Sequence, residues 1–425
     1  MALQFSRSGL LLSFGAAALS TSILLSGCGA SRLLYTGTNL QAIRRDTIKA
    51  SGTVSFLQNP QDSANGIIKL PLVESLDLQP VTLEVSGTPG SPFDQARTLM
   101  LPAGYKASLY ASDLGRPRDI ALREDGTIFY SDFDGSIYAL TPSGTKTAIV
   151  TGLSSPHGIE LHNGALYYTD EHNIFRFDFS SPTAVTGSSA KLSSALPGGG
   201  TNYTRTIRWS PNDKRFYISV GSTSNNGLED DKAHATVLRM AEKGGTLDGV
   251  TLGGLRNTVA MDFNPETGDL WGIDNGTDQI GDLIPPEEVN VIKLNKHYGW
   301  PYFYSQGFRD PRYKDAGDAP TNAVKPIIDL DAHSEALDMV FYSGSALGAD
   351  FHNAMLITYH NNPKVIRLRA NADGSNARQA DFITGFADKD GRVWGRPVGI
   401  VISQDGRTIY LSDDRAGAIY KISKL

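Results

Sequence analysis

From Leu101 onward, short stretches that alternate apolar and polar residues recur along the chain, and turn-forming residues separate them. Alternation with a period of two predicts β-strands with one buried face. The pairs Asp125-Gly126 and Asp405-Gly406 stand where two-strand connections need turn chemistry. The clearest copies of the pattern span residues 117–140, 156–178, 204–225, 255–276, 336–369 and 396–422.

Each copy holds several short strands, and most copies begin roughly 40 to 60 residues after the one before, with extra length in the loops. Internal repeats of this kind are typical of propeller blades. A β-sandwich also has short strands, but it would not show six copies of one pattern. The sequence therefore predicts an all-β fold, a six-bladed β-propeller over residues 99–425. We expect the N-terminal segment to pair with the last strand and close the ring.

The start of the chain has the pattern of a secretory signal. Arg7 supplies a short positive region, and an apolar run follows it from Leu10 to Leu25. This run is too short for a transmembrane helix and lacks stop-transfer charges, so we expect a signal peptide at 1–27.

The sequence Leu-Ser-Gly-Cys, which ends at Cys28, resembles a bacterial lipobox. Cys28 is the single cysteine of the chain, so it cannot take part in an internal disulfide framework. Lipidation at Cys28 is the prediction, and a plain signal with a chance cysteine is the alternative. Residues 28–98 are expected to begin as a tether and to become an N-terminal extension that adds strands, for example at 81–85, to the body.

Charge and composition narrow the function classes. The formal net charge is −6, and the basic residues are scattered rather than clustered. This argues against nucleic-acid binding, which needs a basic face. The 44 glycines suit many short strands joined by tight turns.

Cationic and imidazole side chains recur just before the innermost strand of the repeats. That strand lines the pore of a propeller, so residues in front of it gather at one mouth. These positions hold Arg118, His157, Arg205, Arg256 with Asn257, His333 and Arg396. Such a ring favours a flat anionic ligand, because guanidinium forks match carboxylates and stack on π faces. Imidazole can take a proton near neutral pH, and we expect Lys364 to add a further charge.

Several strings resemble the glucose/sorbosone dehydrogenase family, whose members are pyrroloquinoline quinone (PQQ) dependent sugar dehydrogenases on six-bladed propellers. The matching strings are LPAGY, SSPHGIEL, TRTIRWSPNDKRFYISVGS, GGLRNTVAMDFNPETGDLWGIDNG, IGDLIPPEEVNVI, HYGWPYFY, DGRVWGRPVGI and YLSDD. They follow one another from about residue 101 to the end of the chain. The sorbosone dehydrogenase-like branch has the most similar strings.

The resemblance implies roles for the matched residues. His157 matches the base that removes the hydroxyl proton of the substrate while hydride passes to the quinone. The ring and the resemblance together assign cofactor contacts to Arg118, Arg205, Arg256, Asn257, His333, Lys364 and Arg396. The loop 274–282 matches a Ca²⁺ site, with Gly276, Thr277 and Asp282 as the metal residues. Ca²⁺ prefers oxygen ligands and would polarise the quinone as a Lewis acid.

Four features depart from the family pattern. Thr258 stands where Pro is common, Ala260 where Gly is common, and Thr277 where a charged residue is frequent. The string YHNNPK replaces a segment rich in His, Gly and Ser. These departures surround the predicted cofactor floor and metal loop.

The function expected from the resemblance is oxidation of an aldose or aldehyde sugar to a lactone or acid. PQQ and Ca²⁺ are the expected cofactors, and a respiratory electron acceptor is the expected redox partner. A lipid anchor would hold the protein on the periplasmic side of the cell envelope, with the outer membrane slightly favoured because Gly29 follows Cys28. The alternatives are a non-catalytic propeller that binds a glycan or protein and, with less support, a lactonase-type hydrolase.

Overall fold

The computed structural model describes residues 68–425 without a break, together with four short strands that precede them. These are β1 (Leu10–Leu12), β2 (Ser22–Leu25), β3 (Leu33–Thr36) and β4 (Val54–Leu57), which pair in the order β1-β3-β2-β4. Cys28 and most of the predicted signal peptide lie outside the described residues, so the lipid anchor stays a prediction. Within the described part of the chain, no helix is long and apolar enough to cross a membrane.

Four further strands come before the first complete blade. They are β5 (Leu72–Glu74), β6 (Gln79–Thr82), β7 (Thr98–Leu101) and β8 (Tyr105–Ala111). β6 and β7 pair antiparallel, and Glu84 continues this segment with a bridge to Ser108 of β8. The N-terminal extension therefore adds strands to the body near residues 81–85, and its buried Leu83, Leu99 and Leu101 share a core with the last two blades.

Six sheets radiate from the pore as blades, which confirms the predicted six-bladed all-β propeller. From the pore outward, blade 1 contains β9 (Pro117–Leu122), β10 (Ile128–Asp132), β11 (Ser136–Leu140) and β12 (Lys146–Val150). Blade 2 contains β13 (Ile159–His162), β14 (Ala165–Thr169), β15 (Ile174–Phe179) and β16 (Gly187–Ser193). Blade 3 contains β17 (Ile207–Ser210), β18 (Arg215–Val220), β19 (Thr236–Ala241) and β20 (Asp248–Gly249).

The second half of the chain forms the other three blades. Blade 4 contains β21 (Thr258–Phe263), β22 (Leu270–Asp274), β23 (Glu287–Ile292) and, after an inserted hairpin of β24 (Phe303–Tyr304) and β25 (Phe308–Arg309), β26 (Ile328–Leu330). Blade 5 contains β27 (Ala336–Tyr342), β28 (Ala354–Tyr359), β29 (Lys364–Arg369) and β30 (Arg378–Ile383). Blade 6 contains β31 (Pro397–Ile402), β32 (Thr408–Asp413) and β33 (Ala418–Lys424). Two short 3₁₀ helices lie at Pro311–Tyr313 and Ala349–Phe351.

The N-terminal segment closes the ring, as expected, and β8 is the strand that does so. It pairs antiparallel with β33 and becomes the outermost strand of blade 6. Blade 5 gains β5, which runs parallel to β30. Glu74 on β5 forms ion pairs with three arginines of that blade, Arg367, Arg369 and Arg378.

Hydroxyl side chains join neighbouring blades around the pore. At five junctions a Ser or Thr near the pore donates a hydrogen bond to a backbone carbonyl of the next blade. The bonds run from Ser131 Oγ to His157 O, Thr169 Oγ1 to Arg205 O, Thr206 Oγ1 to Val259 O, Thr358 Oγ1 to Val398 O, and Ser412 Oγ to Arg118 O. Buried hydroxyls need such partners, so these bonds hold the mouth-facing ends of the innermost strands in a fixed arrangement.

Two glycines allow the innermost strands to approach one another. A Cβ on Gly158 would lie 2.4 Å from the carbonyl oxygen of Arg205, and a Cβ on Gly399 would lie 2.5 Å from the carbonyl oxygen of Arg118. Both distances are far below van der Waals contact. Only glycine therefore fits at these two blade junctions.

Arg208, on β17, crosses the space between the innermost strands. Its Nη1 pairs with Asp119 Oδ2 at 3.0 Å, and its Nη2 pairs with Asp338 Oδ1 at 2.9 Å. Asp119 also accepts the amide of Ile159, and Asp338 accepts the amide of Ile400. The two carboxylates and the guanidinium therefore tie blades 1, 3 and 5 together and link two of them to their next neighbours.

Candidate functional site

A cavity of about 540 Å³ opens where the loops enter the innermost strands. The sequence-predicted residues that line it are Arg118, Arg256, Asn257, Gly276, His333 and Arg396. They precede or adjoin strands of blades 1, 4, 5 and 6, because each blade directs the same loop toward the same mouth. Arg116, which the sequence analysis did not single out, also lines the cavity.

Asp414, which follows β32, is the centre of a charged group on the cavity wall. Its carboxylate accepts hydrogen bonds from Arg118 Nη1 at 2.7 Å and from His360 Nε2 at 3.2 Å, and it forms an ion pair with Arg396 Nη2 at 3.4 Å. The other ring nitrogen of His360 lies 3.1 Å from Glu335 Oε2. Burial opposes ionisation of Asp414, but the His360 bond and the Arg118 charge outweigh it and lower the pKa to about 2.

The same contacts favour the charged form of His360. Burial acts to lower the pKa of the ring, but the hydrogen bonds to Asp414 and Glu335 outweigh it and raise the pKa above its ordinary value. These contacts favour the imidazolium form, in which both ring nitrogens donate.

The ring of Phe133 packs against the guanidinium groups of Arg116 and Arg118. The ring centre lies 4.1 Å from the guanidinium carbon of Arg116 and 4.8 Å from that of Arg118. Tyr203 lies edge-on to Phe133, with 6.5 Å between the ring centres. This cation–π contact orients both arginines at the cavity wall.

Arg256 is held by the loop that contains Asn225. Its Nε donates to Asn225 O at 2.8 Å and its Nη2 to Asn225 Oδ1 at 2.9 Å, while Nη1 donates to Asn275 O. Asn225 also accepts from Thr277 Oγ1 and from the amide of Asp278. A single asparagine therefore fixes both the predicted cofactor arginine and the predicted metal loop.

Asp274 organises the floor beneath Arg256. Its carboxylate accepts the amides of Arg256 and Asn257 and the hydroxyl of Thr258, each at 2.8 Å. Burial raises the pKa of Asp274 to about 6, although these bonds act to lower it. Thr258, one of the departures from the family pattern, therefore has a defined contact in this fold.

His157 does not line the cavity. Its side chain is buried, and Nδ1 has no hydrogen-bond partner among the described residues. Burial, with the nearby Arg118 charge, lowers the pKa of His157 to about 3. The ring is therefore neutral at physiological pH. Its assignment as the base stays a prediction, which the burial of the ring away from the cavity lining does not favour.

Arg205 and Lys364 also lie away from the cavity lining. Arg205 is 1 % exposed, and its guanidinium donates to the carbonyls of Pro197, Asn202 and Thr204. It therefore holds the loop that contributes 201–204 to the cavity wall and does not itself reach the cavity. Lys364 is buried and pairs with Asp381 at 2.7 Å and Asp331 at 3.6 Å.

The three predicted metal residues are not equivalent. Gly276 lines the cavity and donates its amide to Glu287 Oε2 at 2.5 Å, whereas Thr277 is buried against Asn225. Asp282 is exposed. Burial raises the pKa of Glu287 to about 8, so its carboxyl group carries a proton at neutral pH. Within residues 68–425, no group of three or more His, Cys, Asp or Glu side chains is arranged to hold a metal ion.

Three cavity residues that the sequence analysis missed lie at the ends of strands that face the mouth of the cavity. Glu335 lies just before β27, while His360 directly follows β28 and Asp414 directly follows β32. In an antiparallel blade, the end of the second strand lies beside the start of the first. Reading the repeats at both places would have brought His360 and Asp414 to the same mouth.

Comparison with known proteins agrees with the fold. The TrAA12-like family matches residues 99–297. A protein of Borreliella burgdorferi whose function is not described is 26% identical over 351 residues, which cover 76% of this chain and 90% of that protein. A pyrroloquinoline quinone-dependent sugar dehydrogenase of Hypocrea jecorina is 21% identical over 389 residues, which cover 76% of this chain and 88% of that protein.

A solved structure has the same fold over most of the chain. The holo form of the pyranose dehydrogenase PQQ domain from Coprinopsis cinerea superposes with a TM-score of 0.64 and 20% identity, covering 80% of this chain and 100% of that domain. The match to the TrAA12-like family supports the resemblance predicted from the sequence. Over most of its length the chain is similar to a PQQ-dependent sugar dehydrogenase, and it shares the fold of the pyranose dehydrogenase PQQ domain.

Proposed function

We propose that this protein binds PQQ in the cavity at the pore mouth and oxidises an aldose or aldehyde sugar, of the glucose or sorbosone type, to a lactone or acid. The observation that carries the proposal is the lining of the cavity, in which Arg116, Arg118, Arg256 and Arg396 meet. Planar guanidinium groups match the carboxylates and the flat ring system of such a cofactor.

The residues present fit this ligand. Arg118 Nε and Arg396 Nε are buried and have no hydrogen-bond partner among the described residues. Buried donors of this kind are rare unless a ligand or water completes them. Arg118, Arg396, His333 and the Arg256-Asn257 pair would hold the carboxylates and quinone oxygens, and bound PQQ would supply the two-electron acceptor for the hydride of the substrate.

Ca²⁺ is proposed at the loop 274–282. A cation there would rely on backbone carbonyls near Gly276 and Thr277, as the family resemblance implies, together with oxygens of the cofactor. Glu287 and Asp278 also line the cavity next to this loop. Removal of Ca²⁺ by a chelator should weaken PQQ binding, and restoring Ca²⁺ should recover it.

The hydroxyl proton of the substrate needs an acceptor. The family resemblance assigns this role to His157, whereas its burial and its low pKa act against it. If His157 is the base, His157→Ala abolishes turnover and retains PQQ. If His157→Ala keeps wild-type turnover, the proton goes to another group of the cavity.

The test is to purify the full chain in detergent, load it with PQQ and Ca²⁺, and measure dye reduction with a panel of aldoses and aldehyde sugars. The expected result is sugar-dependent reduction that disappears when PQQ is omitted. Arg396→Gln should weaken PQQ binding, whereas Arg415→Gln, which changes an arginine outside the cavity lining, should not. A loaded protein that reduces no dye with any sugar contradicts the enzymatic proposal and favours the non-catalytic alternative.

Lipidation at Cys28 and a periplasmic location belong to the same proposal. An anchored enzyme could pass electrons from the reduced cofactor to a respiratory acceptor in the adjacent membrane. Labelling of the intact cell with a lipid precursor, compared between wild type and Cys28→Ala, tests the anchor independently of the activity.

A further inference from the structure

We infer that Asp414 is the positioning residue of a clamp for a planar polycarboxylate, formed by Arg118, His360 and Arg396 before the ligand arrives. This inference rests on the proposed function for the identity of the ligand, and on the geometry of the cavity for the clamp itself. Asp414 would act on the ligand through the three cations that it holds.

Three cations from three blades meet on this one carboxylate. Arg118 belongs to blade 1, His360 follows the second strand of blade 5, and Arg396 precedes the first strand of blade 6. Their distances to Asp414 are 2.7, 3.2 and 3.4 Å, and the Asp414 side chain is 1% exposed. Without Asp414, three like charges would face one another in a partly buried space and would separate.

The charges of this group do not cancel. With His360 in the imidazolium form that its two carboxylate contacts favour, Arg118, His360 and Arg396 supply three positive charges, and Asp414 and Glu335 supply two negative ones. One positive charge therefore remains, and Arg116 adds another beside it on Phe133. A wall that is positive after its own ion pairs have formed favours an anionic ligand.

Unused hydrogen-bond donors point to the same conclusion. Arg118 is nine-tenths buried, and its Nε has no partner among the described residues, although its Nη1 is bonded to Asp414. The Nε of Arg396 is also buried and has no hydrogen-bond partner among the described residues. An arginine bonded on one side to a fixed carboxylate presents its remaining N–H groups in a defined direction, which is what a second carboxylate needs.

The preceding residue, Asp413, has different partners. Asp413 accepts the amides of Arg415 and Ala416 and the hydroxyl of Tyr420, so it fixes the turn after β32. Asp414 bonds only to cationic side chains of the cavity among its side-chain contacts in residues 68–425. Asp413 therefore fixes the backbone of the turn and also accepts a backbone hydrogen bond from Arg396, whereas Asp414 holds the cationic side chains of the clamp.

The test compares Asp414→Asn, Asp414→Glu and, as a control, Asp405→Asn, whose carboxylate lies in an exposed turn. PQQ affinity is measured by calorimetry on the full chain with Ca²⁺, and the His360 ring is titrated by NMR without ligand. We expect Asp414→Asn to bind PQQ at least about tenfold more weakly and to lower the His360 pKa. Asp414→Glu should keep His360 charged and recover part of the affinity, and Asp405→Asn should match the wild type.

Wild-type affinity in Asp414→Asn overturns the inference, and so does a His360 titration that this variant leaves unchanged. If Asp414→Asn does not fold, Asp414→Glu carries the test: the charge is kept but displaced by one methylene, so affinity should fall while His360 stays protonated. If the wild type itself does not bind PQQ, the proposed function fails. The clamp is then tested with pyridine-2,6-dicarboxylate: binding that depends on Asp414 supports it, and no binding overturns it.

Discussion

Arg208→Met removes the guanidinium that joins three blades at the innermost strands. Its ion pairs with Asp119 and Asp338 are 3.0 and 2.9 Å long. The side chain of Arg208 is 13% exposed, that of Asp119 is 3% exposed and that of Asp338 is 4% exposed. Loss of one partner of a buried ion pair costs about 3–5 kcal/mol, because the remaining charge is left without compensation. We therefore expect the free energy of unfolding to fall by about 3–5 kcal/mol at pH 8.

The loss should depend on pH in a direction that the structure defines. Burial raises the pKa of Asp338 to about 7 even though Arg208 acts to lower it. Without Arg208 that carboxyl takes up its proton more readily, so at pH 5 one of the two carboxylates left without a partner becomes neutral, and the cost should fall to about 2 kcal/mol. Urea unfolding followed by tryptophan fluorescence at the two pH values measures both numbers.

The matched control is Arg176→Met, which removes an arginine from a more exposed pair with Asp178. Pairs of this kind contribute below about 1 kcal/mol. If Arg208→Met costs no more than Arg176→Met at pH 8, or if its cost is the same at pH 5 and pH 8, the proposed role of the central ion pairs is wrong.

Two further predictions concern the whole propeller. Burial raises the pKa of several carboxyl groups, among them Glu160 to about 7, Glu287 to about 8 and Asp338 to about 7, so these groups bind more protons in the folded state. Burial lowers the pKa of His157 to about 3, which acts in the opposite direction below about pH 7, where an unfolded histidine takes up a proton. The free energy of unfolding should therefore fall as pH rises from about 7 to 9, by about 1.4 kcal/mol for each tenfold difference in proton affinity between the folded and unfolded states. Urea titrations across this range test it, and a rise in stability would contradict it. Gly158→Ala should destabilise the fold by about 1–3 kcal/mol, because the new Cβ overlaps the next strand, whereas Gly317→Ala, with no atom within 4 Å of its Cβ, should not; equal unfolding midpoints for the two variants would refute this.

The repeat pattern was sufficient to predict the blades because the alternation of apolar residues follows the pleat of each strand. It also brought Arg118, Asn257 and Arg396 to one cavity, since equivalent loops of a propeller face the same mouth. The closing strand β8 could not be chosen from the pattern, because several N-terminal stretches alternate equally well. Only its pairing with β33 in three dimensions distinguishes it.

The predicted ring was less accurate in blades 2 and 3. His157 and Arg205 occupy the same place in their repeats as Arg118, but Arg205 bonds to the carbonyls of its own loop and His157 is buried. Sequence position gives the start of the strand and not the path of the loop before it. His360 and Asp414 were missed for a related reason, since they lie at the ends of second strands, where the repeats were not compared.

The most direct test of the central claim is an equilibrium titration of the full chain with PQQ in the presence of Ca²⁺. The charge and the unused donors of the cavity predict saturable binding with one PQQ per chain, at a dissociation constant of about 10 μM or tighter. The affinity should fall as salt is raised, because carboxylates meet partly exposed arginines. No binding at about 100 μM PQQ, or binding that Arg118→Gln and Arg396→Gln leave unchanged, would contradict the account.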